Sequence, residues 1–129
     1  MANIGQSVSQ YDLEARTPSA TQVVGYNLKT YPDAIYAISA MVTAKNPSTG
    51  DTACFFIKDA WKNVSGTAAR VGGGGSVFDL IAGADSALSS VSVALNNSGS
   101  QVQFLLTGKA STNLVWELSI EVRRCELQK

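Results

Sequence analysis

Residues 114–123 alternate apolar and polar side chains almost without error, and this pattern constrains the fold more than any other feature of the chain. Successive side chains of a β-strand point to opposite faces, whereas a helix would scatter both classes around its circumference. The pattern therefore predicts a long antiparallel strand with one buried and one solvated face. The buried face comprises Leu114, Trp116, Leu118, Ile120 and Val122, and the solvated face Glu117, Ser119, Glu121 and Arg123.

Short segments of the same kind follow one another along the rest of the chain, each bounded by Gly, Asn, Pro or Ser. We expect seven or eight strands and no long amphipathic helix, which is typical of an all-β antiparallel sandwich or jelly roll. Residues 52–62 carry apolar side chains on both sides, which predicts a strand covered on both faces along part of its length. The strands predicted before the last one cover residues 21–28, 34–45, 52–62, 67–71, 77–81, 85–96 and 101–107.

The domain organisation follows from length and from the polar start of the chain. A chain of 129 residues is one domain by length, and a domain of this size buries roughly two thirds of its unfolded surface. Residues 1–20 are polar and aperiodic, so we expect an extended N-terminal arm, with the β-sandwich domain over residues 21–129. Tyr11, Leu13 and Arg16 are the arm's candidate contacts, and we expect the arm to become ordered against a neighbouring subunit or the surface of a larger particle.

Composition excludes several classes of partner. Ten basic and ten acidic residues give a net charge of zero, which removes the electrostatic case for nucleic acid. No apolar run approaches the ~18 residues of a membrane span, and residues 1–7 lack the features of a signal peptide. We therefore expect a protein made in a cytoplasm that binds neither nucleic acid nor membrane. Cys54 and Cys125 are predicted to be reduced thiols, with one bridge formed after release as the alternative.

The residue types needed for catalysis are sparse. Histidine is absent, which eliminates His-based catalysis and His-ligated metals. Glu117 and Glu121 lie about 13 Å apart on one strand face, farther apart than two-carboxylate glycoside hydrolysis requires. The run Gly72–Gly75 lacks the Lys and the following helix of a phosphate loop, which favours a mobile loop or a site where another chain approaches closely. We predict no enzyme, no metal and no cofactor. Asp59, Asp79 and Asp85 are the other candidate carboxylates for hydrolysis. The alternative to the absence of a metal is a calcium site with Asp79 and Asp85 as ligands.

The aromatic residues allow two interpretations, a hydrophobic core or a platform for stacking on sugars. Trp116 lies in the buried register of its strand and is predicted to be core. Trp61, flanked by Ala60 and Lys62, is assigned to the core, with a subunit interface or a ligand contact as the alternative. The other aromatics considered are Tyr11, Tyr26, Tyr31 and Tyr36.

A series of short motifs runs from residue 53 to residue 122. An aromatic-rich strand at 55–58 precedes a Lys-Asn turn at 61–64 and the stretch Gly-Thr-Ala-Ala-Arg-Val-Gly at 66–72. A Ser/Val-rich strand, a Gly-containing turn at 97–99, a strand ending in Thr-Gly and a final Trp-containing strand complete the series. In this order the motifs resemble the β-sandwich module of tailed-bacteriophage virion proteins, which include tail, fibre and head-surface accessory proteins.

The resemblance implies a non-enzymatic structural component of a virion, made in the bacterial host cytoplasm and often trimeric. No shaft or repeat precedes the module in this sequence, which favours a small subunit docked on a capsid or tail, in a decoration, cement or tail accessory role. Its implied partners are other virion proteins and, as a homotrimer, the chain itself. The possible interface or arm contacts, from the residue analysis, are Tyr11, Leu13, Arg16 and Trp61. The alternative is a carbohydrate- or receptor-binding module that recognises host surface glycans.

Overall fold

A computed structural model describes residues 6–126 and places them in two antiparallel β-sheets. The predicted fold class, an all-β antiparallel sandwich, is confirmed, with nine strands in the described part of the chain. Within residues 6–126 no helix is long and apolar enough to cross a membrane. The strands are β1 (Gln6–Thr17), β2 (Val23–Lys29), β3 (Ala34–Lys45), β4 (Thr52–Asn63), β5 (Ala68–Arg70), β6 (Asp79–Ala84), β7 (Ser92–Ser98), β8 (Gln101–Thr107) and β9 (Leu114–Glu126).

The larger sheet has the strand order β1-β9-β3-β4, and both β5 and β6 pair with the far side of β4. The smaller sheet has the order β2-β8-β7. The β3–β4 hairpin turns at residues 46–51, where Gly50 has a φ of 81°. The β7–β8 hairpin turns at Gly99 with a φ of 59°. Both turns lie where the sequence predicts them, because Asn and Gly tolerate the left-handed backbone that tight hairpins require.

The core lies between the two sheets and is built from the alternating inward residues of each strand. On β9 the inward side chains Leu114, Trp116, Leu118, Ile120 and Val122 are all buried, so the predicted register is confirmed. Trp116 is 0% exposed, its indole Nε1 donates a hydrogen bond to Thr17 Oγ1 at 2.8 Å, and its ring stacks on Phe55 at 6.3 Å.

The predicted N-terminal arm is corrected by β1. Residues 6–17 pair with β9 in unbroken register, from Gln6 opposite Cys125 to Thr17 opposite Leu114. Tyr11 and Leu13 point inward and pack against the core, and the pairing gives the backbone groups on that side of β9 their hydrogen-bond partners. Residues 1–5 of the predicted arm and residues 127–129 of the predicted domain lie outside the described residues.

Three smaller differences concern the middle of the chain. The strand expected at 77–81 is β6, at Asp79–Ala84, and the segment expected at 85–96 begins with a 3₁₀ turn at Ser86–Leu88 before β7. Strand β4 has an inward face that is buried and an outward face that carries the exposed Phe56. Its two apolar sides are therefore not both covered within one chain. The jelly-roll designation stays a prediction.

The substitution Thr17→Val tests whether β1 belongs to the core. Valine has the shape of threonine but cannot accept the hydrogen bond from Trp116 Nε1, and a buried donor without a partner costs about 1–3 kcal/mol. We expect the free energy of unfolding in urea to fall by that amount. Thr21→Val, at an exposed position, is the control and should leave it unchanged. Equal stability of Thr17→Val and the wild type would contradict the assignment of β1 to the sandwich.

Candidate interaction surface

An apolar strip crosses the outward face of the larger sheet. Cross-strand register places Met41 of β3 opposite Phe56 of β4, and Phe56 opposite Ile81 of β6. These three side chains are 46%, 49% and 62% exposed. Exposed apolar residues scattered singly need no explanation, but neighbours on adjacent strands form a patch of the kind that marks a protein contact. We call these three residues the apolar strip.

Polar side chains border the strip. A shallow depression of about 280 Å³ runs beside it and is also lined by Ser39, Lys58 and Glu121. Lys58 lies opposite Asp79 in the β4–β6 register, so opposite charges face each other one row from the strip. An apolar centre with a polar rim is the usual anatomy of a protein–protein interface.

Strand β6 ends the sheet beside the strip. Its sequence from Leu80 to Ala84 contains no Pro and no charged residue, and all six residues of the strand are exposed. Edge strands normally carry charges, proline or a bulge that prevents pairing with another chain. Strand β1, at the opposite edge, has Asp12, Glu14 and Arg16, and β2 has a bulge between Val24 and Tyr26. Strand β6 has no proline and no bulge, and its one charged residue is Asp79 at its first position.

A buried polar cluster occupies the end of the sandwich near β5. The Asp59 carboxylate accepts hydrogen bonds from Arg70 Nε at 3.1 Å and Nη2 at 3.0 Å, and from Trp61 Nε1 at 2.9 Å. The Arg70 guanidinium stacks on the Trp61 ring at 4.5 Å and donates to the carbonyl oxygens of Gly74 and Leu95. The cluster ties the glycine-rich loop to the core, and its carboxylate is saturated by protein donors. The hydrogen bonds therefore give this cluster a structural role.

The four predicted contact residues are not brought together. Trp61 is 2% exposed inside the polar cluster, so its assignment as an interface contact is wrong and its assignment to the core is confirmed. Tyr11 and Leu13 face the second sheet, with the Tyr11 ring 5.2 Å from that of Tyr26, so their role as arm contacts is corrected. Arg16 is exposed and pairs with Glu14 at 3.1 Å, and its role as a contact stays a prediction.

The other carboxylates do not form a shared site. Asp79 and Asp85 stand at opposite ends of β6, about 20 Å apart at the usual rise per residue, so they cannot bind one calcium ion together. Asp85 instead accepts a hydrogen bond from the Thr52 backbone N–H at 2.8 Å. Within the described ranges, no group of three or more Cys, Asp or Glu side chains lies close enough to hold a metal.

Both cysteines are free and lie on the outward face of the larger sheet. The strand register aligns Cys54 of β4 with Glu117 of β9, because both are paired with Thr43 of β3. Glu117 is eight positions along β9 from Cys125. That offset corresponds to about 26 Å along the strand, far beyond the span of a disulfide. A bridge between them within one chain is therefore excluded.

A second surface feature is a cleft at one end of the sandwich, which we call the tyrosine cleft. Its volume is about 350 Å³, and its lining includes Tyr11, Tyr31, Tyr36, Lys29 and Arg124. Tyr31 is exposed. The Arg124 Nε is buried and has no hydrogen-bond partner in the described part of the chain. A hydrogen bond to the Tyr36 side chain is the largest cause that raises the pKa of Arg124.

Sequence reasoning missed the apolar strip and the polar cluster. Asp59 was considered only as a candidate hydrolytic carboxylate, since its pairing with Arg70 depends on the placement of β5 beside β4. The adjacent apolar pair Phe55 and Phe56 was the available signal for the strip, because in any strand one of the two must face away from the core.

Comparisons with known proteins include weak structural likenesses to two solved proteins. No protein-family model and no curated protein sequence matches the chain. Among solved structures, the chain is similar to the tailspike protein of Acinetobacter baumannii phage AM24, with a TM-score of 0.45 and 11% identity over 89% of this chain. The chain spans only 26% of that tailspike. It is also similar to a subunit of Bacillus endospore appendages, described as disulfide-linked pili, with a TM-score of 0.35 and 15% identity over 99% of this chain and 96% of that one. Neither likeness assigns a role to this chain.

Proposed function

We propose that this protein is a non-enzymatic structural subunit of a bacteriophage virion, docked on the capsid or tail surface. The observation that carries the proposal is the apolar strip beside the unprotected strand β6. Residues such as Phe56 and Ile81 gain about 1.5–3 kcal/mol each when they are fully buried, so a partner that covers them is stabilised. The motif series over residues 53–122, with its resemblance to virion β-sandwich modules, supports the choice of assembly.

The chemistry of the surface fits an assembly subunit better than an enzyme. The Asp59 carboxylate is saturated by protein donors, and Glu117 and Glu121 lie on the outward face of β9, where Glu121 lines the shallow depression beside the apolar strip. Catalytic groups, in contrast, are normally held in a concave site with perturbed surroundings. We therefore propose a structural subunit that catalyses no reaction and needs no metal or cofactor.

Self-association is part of the proposal. A chain with zero net charge has little electrostatic protection against contact with its own copies. The homotrimer that the family resemblance implies predicts a mass near three times 13.5 kDa in light scattering. If the chain is strictly monomeric at high concentration, self-association in solution is wrong, and the proposal is reduced to assembly on the particle.

Incorporation into particles tests the docking surface. Particles purified by density gradient from lysates of the bacterium that carries this gene should contain the chain, measured by immunoblot. Phe56→Lys should reduce its occupancy at limiting concentration by about tenfold or more, because a charge replaces roughly 2 kcal/mol of apolar burial. Val24→Lys is the matched control, because Val24 is 45% exposed on the outward face of the other sheet.

The two variants must first show the same thermal melting as the wild type, as expected for exposed positions. Reduced occupancy of Phe56→Lys with normal occupancy of Val24→Lys supports docking through the strip. Equal occupancy of all three proteins would show that another surface holds the chain. A chain that is absent from the particles would overturn the virion assignment.

The tyrosine cleft favours glycan recognition as a second candidate function. Aromatic rings that stack on sugars and a cation with an unpartnered N–H are suited to an acidic sugar. Purified protein on a panel of host glycans should bind acidic glycans, and Tyr31→Ala should abolish that binding, because Tyr31 is the exposed ring of the cleft. Absence of binding on the whole panel would eliminate this candidate.

A further inference from the structure

The free side of β6 can be identified from its hydrogen bonds to β4. The Asp85 backbone N–H donates to the Thr52 carbonyl oxygen at 2.9 Å, and these two residues are opposite each other just beyond the last registered pair. In an antiparallel ladder, hydrogen-bonded and non-hydrogen-bonded pairs alternate. Asp79, Ile81 and Gly83 therefore bond to β4.

The remaining residues of β6 direct their backbone groups away from the sheet. By the same alternation these are Leu80, Ala82 and Ala84. Among the described strands β6 pairs with β4 alone. These three residues thus present backbone N–H donors and C=O acceptors with the spacing of a β-ladder. The partner that such a ladder lacks is another strand.

A second copy of β6 can supply that strand only in certain registers. Residues that face each other across a ladder have side chains on the same face of the sheet. Ile81 points outward with Phe56, whereas Leu80 and Ala82 point inward with Ile57 and Phe55. A two-fold axis perpendicular to the sheet must therefore lie level with one residue, which then faces its own copy, and it cannot lie midway between two residues. The axis positions that pair most of β6 are Ile81 and Ala82.

Charge and size distinguish these two registers. With the axis at Ala82, the third pair from the axis sets Asp79 against Asp85 of the second copy, and like charges directly opposite each other are destabilising. With the axis at Ile81, Asp79 faces Gly83 and Leu80 faces Ala82 of the second copy. Large residues then meet small ones, and no like charges are opposed.

The same register also joins the apolar strips. Ile81 of each copy would lie against its symmetry mate in a non-hydrogen-bonded pair, where side chains approach most closely. The strip of one copy would then continue into the strip of the other on a single sheet face. Pairing with the charged strand β1 of another copy would instead set Ile81 among residues such as Asp12 and Glu14.

We propose that β6 pairs antiparallel with β6 of a second copy about a two-fold axis at Ile81, so that the larger sheets of the two chains become one. The inference rests on the proposed function as an assembly subunit and names one partner of that surface. The contact is two-fold, so it is distinct from a trimer axis and can join two trimers as well as two monomers.

Cysteine cross-linking tests both the contact and its register. In a Cys54→Ser, Cys125→Ser background, the axis pair would have its Cα atoms about 4.5 Å apart, within the range of a disulfide. Ile81→Cys should therefore form a covalent dimer under mild oxidation, at least about tenfold faster than Ala82→Cys, whose mates lie beyond disulfide distance. Gly83→Cys is a second control. Its side chain is in the same outward row as Ile81, but it lies four positions along the strand from the cysteine at position 83 of the second copy.

Ala82→Pro, made in the same Cys54→Ser, Cys125→Ser background, provides an independent check. Its N–H points away from β4, so proline leaves the intrachain ladder intact but removes an intermolecular donor. We expect it to halve or abolish the dimer fraction in light scattering with unchanged melting. Faster cross-linking of Ala82→Cys than Ile81→Cys would overturn the register. Equal slow cross-linking of all three positions would overturn the contact, while incorporation of the wild-type chain into particles would still uphold the proposed function.

Discussion

Replacement of Trp116 by alanine is expected to lower the free energy of unfolding by about 3–5 kcal/mol, the usual cost of deleting a large buried aromatic side chain. Trp116 is fully buried near the start of β9, where it packs on Phe55 and donates its indole N–H to Thr17. The substitution removes the ring stacking and the hydrogen bond together, and it leaves a cavity between the sheets. Because a domain of this size is stable by only about 5–15 kcal/mol, we expect poorly soluble protein at 37 °C.

Urea denaturation at 15 °C measures this effect, with Trp116→Phe as the companion variant. Phenylalanine retains the stacked ring and fills part of the space, so it should recover more than half of the lost stability. The midpoint of unfolding should rank wild type, Trp116→Phe and Trp116→Ala in descending order. An unchanged midpoint for Trp116→Ala would mean that the alternate residues of β9 are the buried ones.

Removal of the Asp59 carboxylate by Asp59→Ala is expected to cost about 3–5 kcal/mol, as is typical when one partner of a buried ion pair is deleted. The Arg70 guanidinium would keep its hydrogen bonds to the Gly74 and Leu95 carbonyl oxygens. It would lose both charged contacts with the carboxylate, and the side chain is only 5% exposed. The Trp61 indole N–H would lose its acceptor as well.

The double substitution Asp59→Leu with Arg70→Met separates the contribution of the ion pair to stability from the contribution of packing. Apolar residues of similar volume often replace a buried ion pair without loss, so the double variant should be more stable than Asp59→Ala. Hydrogen exchange of the loop at 72–75 should nevertheless be faster in the double variant, because the Gly74 carbonyl loses its donor. A double variant that is less stable than Asp59→Ala would show that the pair itself stabilises the fold beyond its packing.

The strands with regular alternation were predictable from the sequence, and β1 was not. On β3, and on β9 from Leu114 to Val122, every inward residue is apolar, so the period-two alternation is plain along both strands. On β1 the inward side chains end in Ala15 and Thr17, while Val8 faces outward. Small and hydroxylated residues satisfy the core there because Thr17 accepts the indole hydrogen bond, and this need arises only once β1 lies beside β9.

The candidate surface depends on register between strands, which single-strand patterns do not contain. Met41, Phe56 and Ile81 are separated by fifteen and twenty-five positions in the chain, and they meet only because β3, β4 and β6 align. The alternation did place Phe55 and Phe56 on opposite faces. Which of them faces the core followed from the packing of Phe55 against Trp116.

Hydrogen exchange of the assembled protein tests the central claim, that this chain is a virion subunit held through β6 and the apolar strip. Amide exchange is compared between the isolated chain at low concentration and the chain in purified particles, by mass spectrometry of peptides. We predict strong protection on assembly for the peptide that covers residues 78–85, where Leu80, Ala82 and Ala84 have free amides in the isolated chain. The peptide that covers the β2 edge, residues 23–29, should exchange at the same rate in both samples. Unchanged exchange over residues 78–85, with protection confined to β1 or β2, would contradict the account.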